Sequence, residues 1–219
     1  SALILLGKWS SLMSRHSRSF FPEKLPVITT FCILSLIGCV TTPTQHTEWL
    51  NHQQALLDIT KFTTKGKVAF IDQEQRISAN FVWKQDGNAV SLRITNFFGA
   101  TLFKLDTIPK YAILTDHVGQ SYVGTNASNL LQRLIGISLP VDAMSHWIKG
   151  LPEEKNKFQL STDNRLEYLS ENNSLSNPGW QVKYQSYDVA TNRLLPAKII
   201  MNQNHKKVCL VISNWKYTP

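Results

Sequence analysis

The feature that most constrains the fold of this chain is a hydrophobic period of two. Ile77, Ala79, Phe81 and Trp83 alternate with more polar neighbours, Asp86-Gly87-Asn88 interrupts them, and Val90, Leu92 and Ile94 resume the pattern. Side chains of a strand point alternately to its two faces, so this alternation marks strands with one buried face, and the Asp-Gly-Asn stretch folds one back on the next. Val68 and Phe70 precede them across the turn Asp72-Gln73-Glu74-Gln75. Strands at 102–105, 111–115 and 120–123 follow, the last two split by Asp116-His117-Val118-Gly119. Strands joined by tight turns form an antiparallel meander. Two helices interrupt it. Asn126 caps one with Leu130, Leu131, Leu134 and Ile135 on one face and Gly136 at its end, and Pro140 opens another carrying Val141, Met144, Trp147 and Ile148, stopped by Gly150-Leu151-Pro152. Strands return around Phe158, Leu166, 180–184, 197–201 and 208–215, with a polar loop at 172–179. A further helix is expected over 47–59, capped by Thr47. The expected fold is mainly β: about eleven antiparallel strands in a curved sheet, with a few helices covering one mouth or face.

The first forty residues read as an address. Arg15, Arg18 and Lys24 precede an apolar stretch at 25–38, whose 14 residues are too few to span a bilayer but suit a secretory signal. It ends in Leu36-Ile37-Gly38-Cys39, which resembles the bacterial lipobox, where cleavage ahead of the cysteine leaves a thiol that carries acyl chains. The organisation expected is a signal peptide at 1–38, with its true start at Met13, a lipidated Cys39 and tether at 39–46, and one domain at 47–219. Val40 stands where an Asp commonly retains lipoproteins at the inner membrane, so export to the outer membrane is expected. No other cofactor than the acyl chains on Cys39 is expected.

The full chain carries a net charge of +8, and residues 39–219 hold 19 basic and 14 acidic side chains, a net of +5. The lysines are scattered, with no basic stripe interleaved with aromatics, so nucleic acid is not an expected partner. Cys209, between Val208 and Leu210, has no partner cysteine in the mature chain and is expected to be a small buried side chain. No P-loop, G-x-S-x-G, H-E-x-x-H or dinucleotide motif occurs. His46 and His52 lie near Glu48 and Asp58 without the convergent spacing of a metal site, and His146 is expected on the outer part of a helix with no serine or cysteine arranged beside it. The chain is not expected to be an enzyme.

Two apolar features call for a role. Phe97-Phe98-Gly99 falls between two strands, where turn residues belong; the rings either fold back under the sheet or insert into another apolar phase. The aromatic residues on apolar strand phases form either an ordinary core or the lining of a ligand cavity.

Gly66-Lys67-Val68-Ala69-Phe70, Ser78-Ala79-Asn80-Phe81-Val82-Trp83, Thr95-Asn96-Phe97-Phe98-Gly99-Ala100-Thr101, His146-Trp147-Ile148-Lys149-Gly150-Leu151-Pro152, Leu195-Pro196-Ala197-Lys198 and Asn214-Trp215 together resemble the LolB family of outer-membrane lipoprotein receptors, in order and spacing across 39–219. The resemblance implies an unclosed barrel of eleven antiparallel strands with helices plugging a hydrophobic cavity. It implies a monomeric, lipid-anchored protein facing the periplasm of a Gram-negative bacterium. Such a receptor takes acylated lipoproteins from the soluble carrier LolA and places them in the inner leaflet of the outer membrane, without ATP. A basic receptor would be steered toward a more acidic carrier. In the family a protruding loop carries an apolar residue important for membrane insertion; here that place is Phe98, with Phe97 where proline is frequent, so 97–99 is the expected insertion loop. The acyl-chain cavity is expected to draw on Phe70, Phe81, Trp83, Leu92, Ile94, Phe103, Leu105, Trp147, Tyr184, Met201 and Trp215, the bulkier apolar phase of each element.

Overall fold

In the computed structural model of the protein the described residues are 44–171 and 178–218, with side chains described from Thr47 onward. The expected signal peptide, Cys39, Val40 and residues 172–177 of the polar loop lie outside them. The domain is a single antiparallel sheet of eleven strands with three helices.

Helix α1 (Thr44–Leu57) leads into β1 (Lys61–Ile71), and β2 (Arg76–Asp86), β3 (Ala89–Thr95), β4 (Thr101–Ile108), β5 (Tyr111–Asp116) and β6 (Ser121–Gly124) follow as a meander. Helices α2 (Ala127–Ile135) and α3 (Val141–Trp147) come next, then β7 (Lys157–Leu160), β8 (Leu166–Ser170), β9 (Gln181–Tyr187), β10 (Pro196–Gln203) and β11 (Lys206–Tyr217). The order across the sheet is β6-β5-β4-β3-β2-β1-β11-β10-β9-β8-β7. The last strand pairs with the first, and β6 and β7 are left as the two edges, so the barrel is unclosed.

Burial follows the alternation. Ala79, Phe81 and Trp83 of β2, Val90, Leu92 and Ile94 of β3, and Phe103 and Leu105 of β4 all point into one core. On β11, Val208, Leu210 and Ile212 are inward, yet the next inward residue is Trp215. A bulge opposite Lys65 and Gly66 accounts for the spacing: Lys65 pairs with Asn214 and Gly66 with Ile212, leaving Ser213 as the extra residue. The strands approach so closely there that a Cβ on Gly66 would lie 2.0 Å from the Val211 carbonyl oxygen.

Asn126 caps α2 by accepting from the Asn129 N–H, and Gly136 ends it at φ +79°, as its sequence indicates. Helix α1, in contrast, begins at Thr44 rather than behind a Thr47 cap. Cys209 is half-buried rather than buried, because it occupies the outward phase of β11 between inward Val208 and Leu210.

Candidate functional site: an apolar chamber and an exposed aromatic hairpin

The inward faces of β1, β2, β3 and β11 and the helical segment above them border an apolar cavity whose empty volume of about 260 Å³ includes space open to solvent. Phe70, Phe81, Trp83, Leu92 and Ile94, all candidates from the sequence, line it with Val68 and Leu210 beside them. Its roof is Leu139, Met144 and Ile148, from the approach to α3 and from α3 and its cap. These roof residues were not among the expected cavity set, although the three- and four-residue spacing of Val141, Met144 and Ile148 marks the apolar stripe that supplies two of them. Phe103, Leu105, Trp147, Tyr184, Met201 and Trp215 are buried in the same core but do not line this cavity.

Helix α3 is fastened mainly at its C-terminal end. The Lys149 side chain is buried and its Nζ donates to the carbonyls of Ile59, at 2.7 Å, and Leu56, at 3.3 Å, over the Phe62 ring. Burial without a carboxylate partner lowers the lysine pKa. The Tyr184 hydroxyl donates to the Trp147 carbonyl at 2.8 Å, and complete burial raises its pKa well above the ordinary tyrosine value. The Trp147 indole N–H donates to Asn156 Oδ1 at 3.0 Å. At the N-terminal end, the Val141 N–H reaches Ser128 Oγ at 3.3 Å.

The Phe97-Phe98 rings do not fold back. They are 85% and 90% exposed at the tip of the β3–β4 hairpin, packed edge-on against each other with centroids 5.6 Å apart. Asn96 holds the tip: its Oδ1 accepts from the N–H groups of Phe98 and Ala100, both at 3.0 Å. Gly99 closes it at φ +88°, a conformation that side-chain-bearing residues rarely adopt.

The scattered lysines are gathered by the fold. Lys65, Lys67, Lys84, Arg93, Lys104, Lys198 and Lys216 all lie on the outward phase of β1–β4, β10 and β11. Asp86 and Asp106, on the same face, each sit 2.7 Å from a lysine, Lys61 and Lys104 respectively. Alternation is the signal that would have found this face, since each of these cations except Lys65, which follows the buried Thr64, stands beside an inward apolar residue.

Contrary to expectation, a serine does stand beside His146: Ser145 Oγ lies 3.1 Å from its Nδ1. The same hydroxyl donates to the Asp142 carbonyl at 2.6 Å, and Glu153 approaches that same ring nitrogen at 3.9 Å. In a nucleophilic triad the serine and the carboxylate contact opposite ring nitrogens, so these three groups do not have that arrangement.

A family model described as outer membrane lipoprotein LolB matches residues 60–215. The chain is 36% identical to the outer-membrane lipoprotein LolB of Vibrio parahaemolyticus over 191 residues, covering 84% of this chain and 93% of that protein. It is 32% identical to that of Vibrio atlanticus over 212 residues, 88% of this chain and 98% of the relative. The corresponding protein of Yersinia pestis is 30% identical over 206 residues, 93% and 98% of the two chains. Among solved structures, a LolA superfamily protein from Nitrosomonas europaea superposes with a TM-score of 0.51 at 12% identity, over 76% of this chain and 94% of its own. A DUF1329 family protein from Desulfovibrio piger gives 0.52 at 6% identity, over 78% and 92%. These two likenesses concern the fold. The family model spans well over half of the sequence and the relatives span most of it, so the chain belongs to the LolB family of outer-membrane lipoproteins.

Proposed function

We propose that the protein is a receptor, anchored through acyl chains on Cys39, that accepts acylated lipoproteins from the carrier LolA and inserts them into the inner leaflet of the outer membrane. The observation that carries this reading is the pairing, in one domain, of a roofed apolar chamber with a hairpin that presents two phenylalanines to solvent. An acyl chain is worth about 0.8 kcal/mol per buried CH₂, so it must pass from one apolar enclosure to the next without meeting water. Direction then requires this chamber to hold the chains better than the carrier does and less well than the bilayer does.

The space left free among these side chains is far smaller than an acyl chain. Cargo entry therefore requires the roof to lift. Lifting it means releasing the Lys206–Ser138 hydrogen bond beside Leu139 or the Lys149 and Tyr184 bonds at the C-terminal end of α3.

Two measurements test the reading. A soluble fragment beginning at Val40 is mixed with LolA holding an acylated lipoprotein, and pull-down follows the cargo, which should move to the fragment. Retention of cargo on a competent carrier would reduce the protein to an envelope tether. Phe98→Glu should then leave this uptake intact and slow delivery into liposomes by about tenfold, since a buried phenylalanine contributes about 1.5–3 kcal/mol. Delivery at the wild-type rate would sink the insertion role of the loop.

A further inference from the structure

The hairpin that follows Phe97-Phe98 in the meander repeats its construction. Asp116 N–H donates to the Gln120 carbonyl and Gly119 N–H to the Asp116 carbonyl, as Asn96 and Gly99 do with Ala100 and Asn96. Asp116 Oδ1 accepts from the N–H groups of Val118 and Gln120 at 3.0 and 2.9 Å, and Gly119 sits at φ +89°. The residue placed where Phe98 stands is Val118, which is 74% exposed.

Both tips lie at the same end of the sheet, since β3 and β5 run the same way. Two other turns at that end, through Gln73-Glu74 and through Asn204-His205, expose polar residues. Among these four turns the apolar tips fall in the β3–β6 half. The outward side chains of the strands beneath them include the cations Arg93 and Lys104, with Lys104 paired to Asp106.

We infer that Val118 is a second membrane-inserting prong, so that the protein docks on the lipid surface at two points rather than one. This rests on the reading of Phe98 as the first. A bilayer is the occupant that suits two separate apolar tips above the exposed Arg93, because acyl chains accept both tips at any spacing and anionic headgroups complement the Arg93 guanidinium. The geometry also sets an orientation. The hairpin axes are two strand spacings apart, about 10 Å. Asp116 is level with Phe103, which pairs with Ile94, two residues before Asn96, so the Phe98 tip reaches two residues further, about 7 Å. A plane touching both tips tilts by about 35° from the perpendicular to the strands, so the domain leans toward its β6 edge on the membrane.

Tryptophan substitution tests this in the lipid-anchored protein, reconstituted in vesicles of phosphatidylethanolamine and phosphatidylglycerol containing a nitroxide-labelled phospholipid. Trp49, Trp83, Trp147, Trp180 and Trp215 are all buried and stay dark to the quencher. Val118→Trp and Phe98→Trp should both be blue-shifted and quenched. Val189→Trp, 85% exposed in the β9–β10 connection at the opposite end of the sheet, should be neither. Quenching at Phe98→Trp but not at Val118→Trp overturns the second prong and leaves the first standing. Quenching at neither overturns both, and equal quenching at all three reports mere nearness of an anchored protein and overturns the inference as well. A change at Val118→Trp that needs added LolA assigns the tip to the carrier instead. In delivery assays Val118→Glu should slow transfer to vesicles about fivefold without altering cargo uptake, and Val118→Leu should restore it.

Discussion

His52 shows how one side chain of α1 ties stability to acidity. It is half-buried beside Trp49, with ring centroids 6.1 Å apart. Burial first, and the Arg165 guanidinium second, hold its pKa below the ordinary 6.5. The unfolded chain therefore takes up a proton near pH 6.5 that the folded domain accepts only at lower pH, and folding stability falls as pH drops below about 6.5. Urea denaturation on either side of that pH should show the loss, and His52→Gln should flatten it. Individual residues differ in how well sequence alone announces them. The exposure of Phe97 and Phe98 was half-legible: two rings between strands were conspicuous, but whether they fold inward depends on the tertiary packing of the hairpin. Cys209 was misread because a hydrophobic-looking Val-Cys-Leu run hides its outward phase, and Ser145, adjacent to His146 in the sequence, was passed over although its Oγ reaches the ring Nδ1.

At the scale of elements, α3 is the part whose freedom matters most. Lys149 ties its end to the junction of α1 and β1 through two carbonyls. Replacing it with methionine removes those donors from a buried site, so Lys149→Met should cost about 1–3 kcal/mol in thermal or urea unfolding. It should also increase binding of an apolar fluorescent dye, because the roof loses a fastening. Dye binding at the wild-type level in a folded variant would place the fastening elsewhere. The strands and α2 were legible because period two, Asn126 and Gly136 act within a few residues. The start of α1 was not, since the helix extends past the capping threonine the sequence offered. The cavity was legible on its strand side, where the bulky phase of each strand is the inward one. Its roof was not, because an apolar helix stripe looks the same whether it meets a solid core or closes a chamber.

At the scale of the molecule, the chamber trades packing against capacity. Val68 lines it at the centre of β1, and Val68→Phe should fill part of the space without burying a polar group. Thermal stability should hold or rise by about 1 kcal/mol, while the amount of acylated cargo retained in pull-down falls. Unchanged retention would mean that the chains lie elsewhere. The sheet that builds the chamber ends in two four-residue strands, β6 and β7, whose outer edges pair with nothing in the sheet, and the chain that leads from one to the other is the segment carrying the roof helices. A closed barrel has a fixed girth, because widening it means tearing a ladder of backbone hydrogen bonds along a whole seam. Here the seam is already open. The wall can spread like a split cuff with every strand keeping its neighbours, and what resists the spreading is the packing and the few hydrogen bonds between roof and wall, such as those of Tyr184 and Lys206.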